Sequence, residues 1–185
     1  TSGTTGEPKG VMLTHANFSE IFRIHDIRIT NFSDKDLSMC FLPLTHIFEK
    51  AWSYYCLCKG VTIAVNKEPG EIRETIKQVR PTVMSNVPRF WEKVYEGVKE
   101  KMDNASGITK WLFTDAVKTG RRHNLEFVNE GKTPPIGNRL KFFIYRHTVF
   151  YLVKRVVGID RGNFFPVAGA PLSDTINEFM QSIDV

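Results

Sequence analysis

The 185-residue chain is poor in cysteine and has no long apolar run. Its three cysteines, Cys40, Cys56 and Cys58, lack the paired spacing of a zinc site, and an odd number favours free, buried thiols. No apolar stretch approaches the roughly 18 residues that a membrane-spanning helix needs. No signal-peptide pattern opens the chain. These features predict a protein of a reducing, cytoplasmic compartment.

Short apolar runs alternate with amphipathic helical patterns along most of the chain, and 42% of the residues are hydrophobic. The pattern predicts an α/β fold with a mostly parallel sheet flanked by helices. The predicted strands cover 37–44, 61–65, 82–87 and 164–168, and those over 61–65 and 82–87 are predicted to be buried. Helices are predicted over 15–28, 48–58, 71–79, 88–102 and most of 108–158, with a turn at 131–137, and a last helix begins near Ser173. The helix over 48–58 is apolar almost all round and is predicted to be buried.

The opening decapeptide TSGTTGEPKG combines hydroxyl side chains, glycines and a lysine in one loop. Glycines let backbone N–H groups approach a ligand, hydroxyls add donors, and Lys9 adds a positive charge. An ordinary turn-rich loop would share the glycines and hydroxyls. A Walker loop is excluded, because Lys9 precedes Gly10 rather than Ser or Thr and because Pro8 removes a backbone donor. The loop predicts a polyphosphate site of another type.

Three further segments stand out. The first is FLPLTHIFE, in which His46 lies between a strand end and a helix; such a histidine is often only structural. The second, VMSNVPRFWEKVY from Val83 to Tyr95, also fits a buried strand followed by an amphipathic helix. The third, VAGAPLS from Val167 to Ser173, is either a tight strand-to-helix turn or a backbone surface against which a flat ring could lie.

Taken with the opening loop, these segments resemble the adenylate-forming (acyl-activating) superfamily, closest to the long-chain fatty acyl-CoA synthetases. The resemblance implies that ATP and a fatty acid give an acyl-adenylate and pyrophosphate, and that coenzyme A then displaces AMP. It also implies that the opening loop holds the β- and γ-phosphates of ATP, with a threonine hydroxyl on Mg²⁺. The implied nucleotide-binding residues are Thr1, Ser2, Gly3, Thr4, Thr5, Gly6 and Lys9, with Thr4 and Thr5 as candidate metal ligands.

The same resemblance implies roles for the three later segments. His46 would border the pocket of the acyl carboxylate, and His46 and Lys9 are the candidate catalytic residues. Gly169, Ala170 and Pro171 would line the adenine, and Arg89 would anchor structure near the acyl tunnel. Members of the superfamily often carry Ser-Gly immediately before the Gly169–Pro171 segment, whereas this chain has Val167-Ala168, so the shape of its pocket is expected to differ.

The resemblance also implies parts that these 185 residues do not contain. A Tyr-Gly-x-Thr-Glu motif, a ribose-binding aspartate and a C-terminal domain with a catalytic lysine are expected of the superfamily. The chain is therefore predicted to be a single piece, residues 1–185, of the AMP-binding N-terminal domain. By itself, such a piece is expected to show no turnover.

Positive charge is concentrated in one segment. Between Lys110 and Arg161 the net charge is +7, and Arg139, Arg146, His147 and Lys154 share one helical stripe. This segment leaves a membrane- or nucleic-acid-binding module as one alternative function, and a ligase for an aryl or amino acid is another. The expected partners are a fatty acid, ATP and coenzyme A, with peripheral membrane contact and without nucleic acid.

Overall fold

The computed structural model describes residues 10–185. Two parallel strands, β1 (Leu37–Cys40) and β2 (Thr62–Val65), pair in register from Leu37 opposite Thr62 to Cys40 opposite Val65. On the other side of β1, Val83 forms a parallel bridge to Ser38. These elements begin the parallel sheet that the sequence predicts.

The 82–87 and 164–168 segments extend this sheet as bridges rather than as full strands. Val83 bridges Phe164, and Asn86 bridges Val167, again in the parallel sense. Pro166 lacks an N–H and cannot donate to a ladder, although its carbonyl accepts the Asn86 N–H at 2.8 Å. The spatial order is therefore 62–65, 37–40, 82–87, 164–168, and the predicted α/β class is confirmed.

Eight α-helices account for most of the described residues. They are α1 (His15–Arg28), α2 (Ile47–Cys58), α3 (Ile72–Val79), α4 (Pro88–Asp103), α5 (Gly107–Arg121), α6 (Ile136–Tyr145), α7 (Tyr151–Val157) and α8 (Asp174–Ser182). π-Helical turns continue α5 over Arg122–Val128 and join α6 to α7 over Arg146–Phe150, and a 3₁₀ turn at Pro69–Glu71 precedes α3. Among residues 10–185, no helix is long and apolar enough to cross a bilayer.

The predicted helix starts rest on local chemistry. The Asn17 N–H donates to the Thr14 hydroxyl at 3.4 Å, while the Asn17 side chain accepts the Thr14 N–H at 2.9 Å. This reciprocal pair satisfies two donors at the start of α1. Pro88 is the first residue of α4, where its missing N–H costs no helical hydrogen bond.

The main core lies where the helices after α3 pack on the sheet and on one another. A smaller cluster of Trp52, Cys56, Val61 and Val83 lies between α2 and the strands. The buried members of the main core come from β1, the 82–87 segment and most of the helices from α3 onward. They are Met39, Ile76, Met84, Trp91, Ala116, Phe142, Tyr145, Phe150, Ile159, Ile176, Met180 and Ile183.

Three predictions of burial are wrong. β2 was expected to be a buried strand, yet Val65 is 73% exposed, because among the described residues β2 pairs with β1 alone. α2 was expected to be buried almost all round, but Tyr54 and Leu57 face outward, since only one side of the helix packs on the sheet. Cys58 lies on that outward side and is exposed, whereas Cys40 and Cys56 are buried free thiols as predicted.

Candidate active site

The carboxyl ends of the parallel strands bring two of the predicted segments to one edge of the sheet. β1 ends at Cys40 and leads into the loop that carries His46. The 164–168 segment leads into Gly169, and between these two the 82–87 segment leads into α4. Ligands of open α/β sheets bind at this edge. The structure therefore places His46 and Gly169–Pro171 where a shared site is expected.

His46 is the residue that caps the N-terminus of α2, but it does so through its backbone only. Its N–H donates to the Pro43 carbonyl at 2.9 Å, and its own carbonyl accepts the Lys50 N–H at 3.2 Å. The imidazole makes no capping bond and is exposed. The loop backbone thus fixes where His46 lies, while its ring nitrogens form no hydrogen bond to any residue of 10–185.

The Gly169–Pro171 turn offers an open backbone surface. Gly169 has φ +96°, in the left-handed region that other residues rarely adopt, and a Cβ there would meet no atom within 4 Å. The preceding Ala168 N–H donates to the Asn86 carbonyl at 3.1 Å, which anchors the turn to the neighbouring strand segment. A flat ring can approach such a turn without a steric clash. Whether adenine occupies it stays a prediction.

A buried acid lies beneath the His46 loop, and sequence reasoning did not single it out. Glu49, the third residue of α2, is 0% exposed. Its Oε2 accepts the Leu42 N–H at 3.3 Å and the Ser85 hydroxyl at 3.0 Å, and its Oε1 accepts the Ser53 hydroxyl at 3.1 Å. A signal was present, since Glu49 stands among apolar residues on the inner face of a predicted buried helix.

Burial around this acid also affects the neighbouring thiol. Desolvation, with the charge of Glu49 as the next cause, raises the pKa of Cys40 to about 11. A thiol with such a pKa stays protonated and is a poor nucleophile at neutral pH. Cys40 is therefore suited to packing in β1 rather than to acting as a nucleophile at this edge.

Arg89 does not reach the interior. It lies exposed in the first turn of α4, and its guanidinium donates to the Glu92 carboxylate at 2.9 Å on the same helix. The sequence suggested an anchoring role near an acyl tunnel. The structure shows instead a surface ion pair of modest energetic weight.

The predicted phosphate-binding residues, Thr1 to Gly6 and Lys9, lie outside the described residues. The same holds for the predicted metal ligands Thr4 and Thr5. From Gly10 onward, no group of three or more His, Cys, Asp or Glu side chains is arranged to hold a metal ion. These assignments therefore stay predictions.

The proposed basic stripe is partly neutralised. Arg146 and Lys154 both approach the Asp184 carboxylate, at 2.8 and 3.3 Å, so two of its four members are engaged in ion pairs. The His147 ring contacts the Phe143 carbonyl at 2.8 Å. The other two members, Arg139 and His147, make no ion pair within 10–185. The stripe is not a continuous free basic face, because α8 ends against it.

These features define an α/β domain whose ligand-binding edge carries an available histidine and an open glycine turn. A family model described as "AMP-binding enzyme" matches residues 1–183, so the chain belongs to the AMP-binding enzyme family. The resemblance seen in the four sequence segments is thereby confirmed.

Curated relatives agree with the family model. The chain is 31% identical over 192 residues to the long-chain-fatty-acid–CoA ligase ACSBG2 of Rattus norvegicus, covering 100% of this chain and 28% of that protein. It is 30% identical to long chain acyl-CoA synthetase 1 of Arabidopsis thaliana, covering 98% of this chain and 27% of that protein. The chain thus spans about a quarter of the length of these relatives. No solved structure gave a significant match.

Proposed function

We propose that the protein carrying this chain is an AMP-forming long-chain fatty acid–CoA ligase. The observation that carries the proposal is the placement of the His46 loop and the Gly169–Pro171 turn at the carboxyl edge of one parallel sheet. The names of the relatives support the choice of substrate, since both describe long-chain acyl or fatty acid activation.

The reaction has two steps. A carboxylate oxygen of the fatty acid attacks the α-phosphorus of ATP, the bond to the leaving pyrophosphate breaks, and an acyl-adenylate forms. The thiol of coenzyme A, losing its proton, then attacks the acyl carbonyl, and AMP leaves. Both steps depend mainly on positioning and on neutralising phosphate charge.

The proposed roles follow the segments of the chain. Hydroxyls and backbone N–H groups of Thr1, Ser2, Gly3, Thr4, Thr5 and Gly6 bind phosphate oxygens, and Lys9 adds charge. A hydroxyl of Thr4 or Thr5 binds Mg²⁺, which neutralises phosphate charge when bound. His46 holds the acyl carboxylate with its exposed imidazole. Gly169, Ala170 and Pro171 form one wall for the adenine.

Pyrophosphate exchange into ATP tests the first step in the complete protein. Palmitate is expected to stimulate exchange, and AMP is expected as the product once coenzyme A is added. Benzoate and a panel of amino acids serve as matched carboxylates. A preference for either would contradict the fatty acid assignment and support the alternative ligase.

The isolated 185-residue chain is a useful companion sample. It contains no Tyr-Gly-x-Thr-Glu segment, and so we expect no palmitate-dependent exchange from it. Pyrophosphate exchange measured in parallel on the isolated chain and on the complete protein checks this. Exchange by the isolated chain would show that the 185 residues suffice for adenylation.

We propose in addition that the enzyme is cytoplasmic and makes peripheral contact with a membrane through α6. Leu140, 63% exposed, lies on the same helix face as the exposed Ile136, Phe143 and Ile144, and Arg139 beside them makes no ion pair within 10–185. Apolar side chains next to free positive charge match the interface of an anionic bilayer. A fatty substrate would reach the enzyme from such a surface.

Vesicle flotation of the complete protein tests this contact. Binding to phosphatidylserine-containing vesicles is expected to fall severalfold in a Leu140→Glu, Phe143→Glu variant. Leu57→Glu is the matched control, because Leu57 is also 63% exposed but lies on α2. Equal loss in both variants, or no binding by the unaltered protein, would contradict a membrane role for α6. Binding to duplex DNA instead would support the nucleic-acid alternative.

A further inference from the structure

Glu49 is an acid without a countercharge in the described structure. None of the ion pairs formed among residues 10–185 includes it. Its three hydrogen-bond donors, the Leu42 N–H and two serine hydroxyls, are all neutral. Burying a carboxylate is costly, and among residues 10–185 hydrogen bonds and the positive end of the α2 dipole offset that cost. An apolar residue would pack at this position without that cost, so stability alone does not account for the acid.

The three donors come from three different places, which shows what the acid connects. Leu42 lies in the loop between β1 and α2, Ser85 lies in the neighbouring 82–87 segment, and Ser53 lies one turn further along α2. Glu49 therefore ties the start of the His46 loop to an adjacent strand and to the helix that follows. All three contacts lie within the described part of the chain.

The loop depends on this tie because, within residues 10–185, the His46 side chain has no hydrogen-bonded anchor of its own. Its imidazole is exposed and makes no capping bond, and so its place is set by the backbone from Phe41 to His46. The Leu42 N–H lies inside that stretch and points at Glu49. Without an acceptor, this part-buried N–H would have to turn toward water, and the loop backbone would turn with it.

We propose that Glu49 is a positioning residue, whose buried carboxylate holds the loop in the conformation that presents His46 to the substrate carboxylate. The proposal rests on the proposed function for the identity of that substrate. Glu49 itself touches no substrate. Its effect on catalysis passes through Leu42 and the loop backbone.

Hydrogen-bond chemistry supplies a matched pair of variants. In Glu49→Gln, the amide oxygen can still accept from the Leu42 N–H and the Ser85 hydroxyl, while its NH₂ donates to the Ser53 oxygen. In Glu49→Met, the side chain has similar length and packs well, but it offers no comparable acceptor. The pair therefore separates the hydrogen-bonded tie from the volume of the side chain.

Peptide-resolved hydrogen exchange on the complete protein tests the tie without any assay of activity. The segment 41–46 is expected to exchange about tenfold faster in Glu49→Met than in the unaltered protein, and at nearly unchanged rate in Glu49→Gln. The segment 82–87 reports whether the sheet itself has loosened. Unchanged exchange over 41–46 in Glu49→Met would overturn the proposal, as would equal acceleration over 41–46 and 82–87.

Kinetics test the link to His46. In Glu49→Met, kcat/KM for palmitate is expected to fall about tenfold while the KM for ATP stays within about twofold, and Glu49→Gln should restore most of it. In a His46→Ala background, Glu49→Met should lower kcat/KM for palmitate only slightly further, because both changes act at one loop. Losses in kcat/KM that add up in the double variant would overturn the positioning role, as would equal losses in kcat/KM for palmitate and for ATP.

The proposed function is tested separately. If the unaltered protein shows no palmitate-dependent pyrophosphate exchange, the proposed function is wrong, whereas the hydrogen-exchange test of the Glu49 tie still applies.

Discussion

The contact of α2 with the sheet and the helical segment from α5 to α7 handle polar groups in opposite ways. Between α2 and the sheet, polar side chains are buried and bonded to one another, as with Glu49 and Ser85 at the carboxyl edge, or with the Trp52 indole and Ser38, 3.0 Å apart, in the smaller core cluster. In the helical segment, charges lie at the surface in pairs such as Lys110 with Asp103 at 3.1 Å and Lys132 with Glu130 at 3.8 Å.

This difference indicates where polar residues determine the structure. A buried donor that loses its partner has no water to replace it, so each bond between α2 and the sheet constrains the backbone. A surface pair is screened by solvent and salt, and its loss changes little. The helical segment must therefore be held in place by packing, whereas the contact of α2 with the sheet is held by specific bonds.

Packing at Gly120 gives the largest effect that we expect. Gly120 in α5 is buried against the end of α8, and a Cβ there would lie 1.9 Å from the Ser182 carbonyl oxygen. Because that atom is backbone, the two helices must separate to accommodate a methyl group. Gly120→Ala is expected to lower the free energy of unfolding by about 3 kcal/mol, measured by urea denaturation.

Gly137→Ala is the control for helix propensity. Gly137 lies in α6, and a Cβ there would meet no atom within 4 Å. Alanine should leave stability unchanged or raise it by up to about 1 kcal/mol. If both variants behave alike, close packing of α5 on α8 does not hold the helical segment.

One buried ion pair forms an exception to the surface pattern, and it gives the next largest effect. Asp160, whose side chain is 1% exposed, follows α7 and is bonded by the guanidinium of Arg80 at the end of α3, with Arg155 at 3.7 Å. Arg80→Met keeps the aliphatic part of the side chain but removes the guanidinium that pairs with the Asp160 carboxylate. We expect a loss of about 2 kcal/mol, since Arg155 remains nearby, whereas Lys77→Met in the exposed pair with Glu74 should cost about 0.5 kcal/mol or less.

The same pair predicts a dependence on pH. Burial by itself raises the pKa of Asp160, but the hydrogen bonds and charge of Arg80 outweigh it, and the pKa lies below its usual range. A lowered pKa contributes stability that is fully present above the unfolded value of about 3.9 and is lost as the pH falls through the folded value. The stability gap between the unaltered protein and Arg80→Met should therefore narrow below about pH 4. A gap that stays constant down to pH 3 would show that Asp160 contributes no charge interaction.

Much of the fold could be predicted because local patterns decide it. The Thr14 cap, the Pro88 start of α4 and the breaks around Gly60 and Pro134 are read from single residues, and each boundary lies within a few positions of its prediction. Burial was harder to predict. Val65 and Leu57 have the composition of core residues, and only the pairing of β2 and the docking of α2 determine that they face outward.

At the candidate site, too, features set by local sequence could be predicted, whereas those set by tertiary contacts could not. His46 and Gly169 could be selected from their motifs, because strand ends and small residues are visible in the sequence. The contacts of Glu49 could not be predicted, since Ser85 is 36 residues away in the sequence and lies beside Glu49 only because the 82–87 segment neighbours β1 in the sheet. The ion pairs of Arg146 and Lys154 escaped prediction for a similar reason, because Asp184 reaches them from the end of α8.

The buried Trp52–Ser38 bond gives the smallest of these effects and the most direct test of the comparison. Ser38→Ala leaves the indole N–H of Trp52 without its acceptor in the smaller core cluster, and we expect a loss of about 1.5 kcal/mol in the free energy of unfolding. Lys110→Ala removes a surface pair of similar geometry, and about 0.5 kcal/mol or less is expected, diminishing further as salt is raised. Urea denaturation at low and high salt measures both, and the loss in Ser38→Ala should not respond to salt. Equal losses of unfolding free energy in Ser38→Ala and Lys110→Ala would mean that the buried bonds between α2 and the sheet matter no more to stability than the surface pairs of the helical segment.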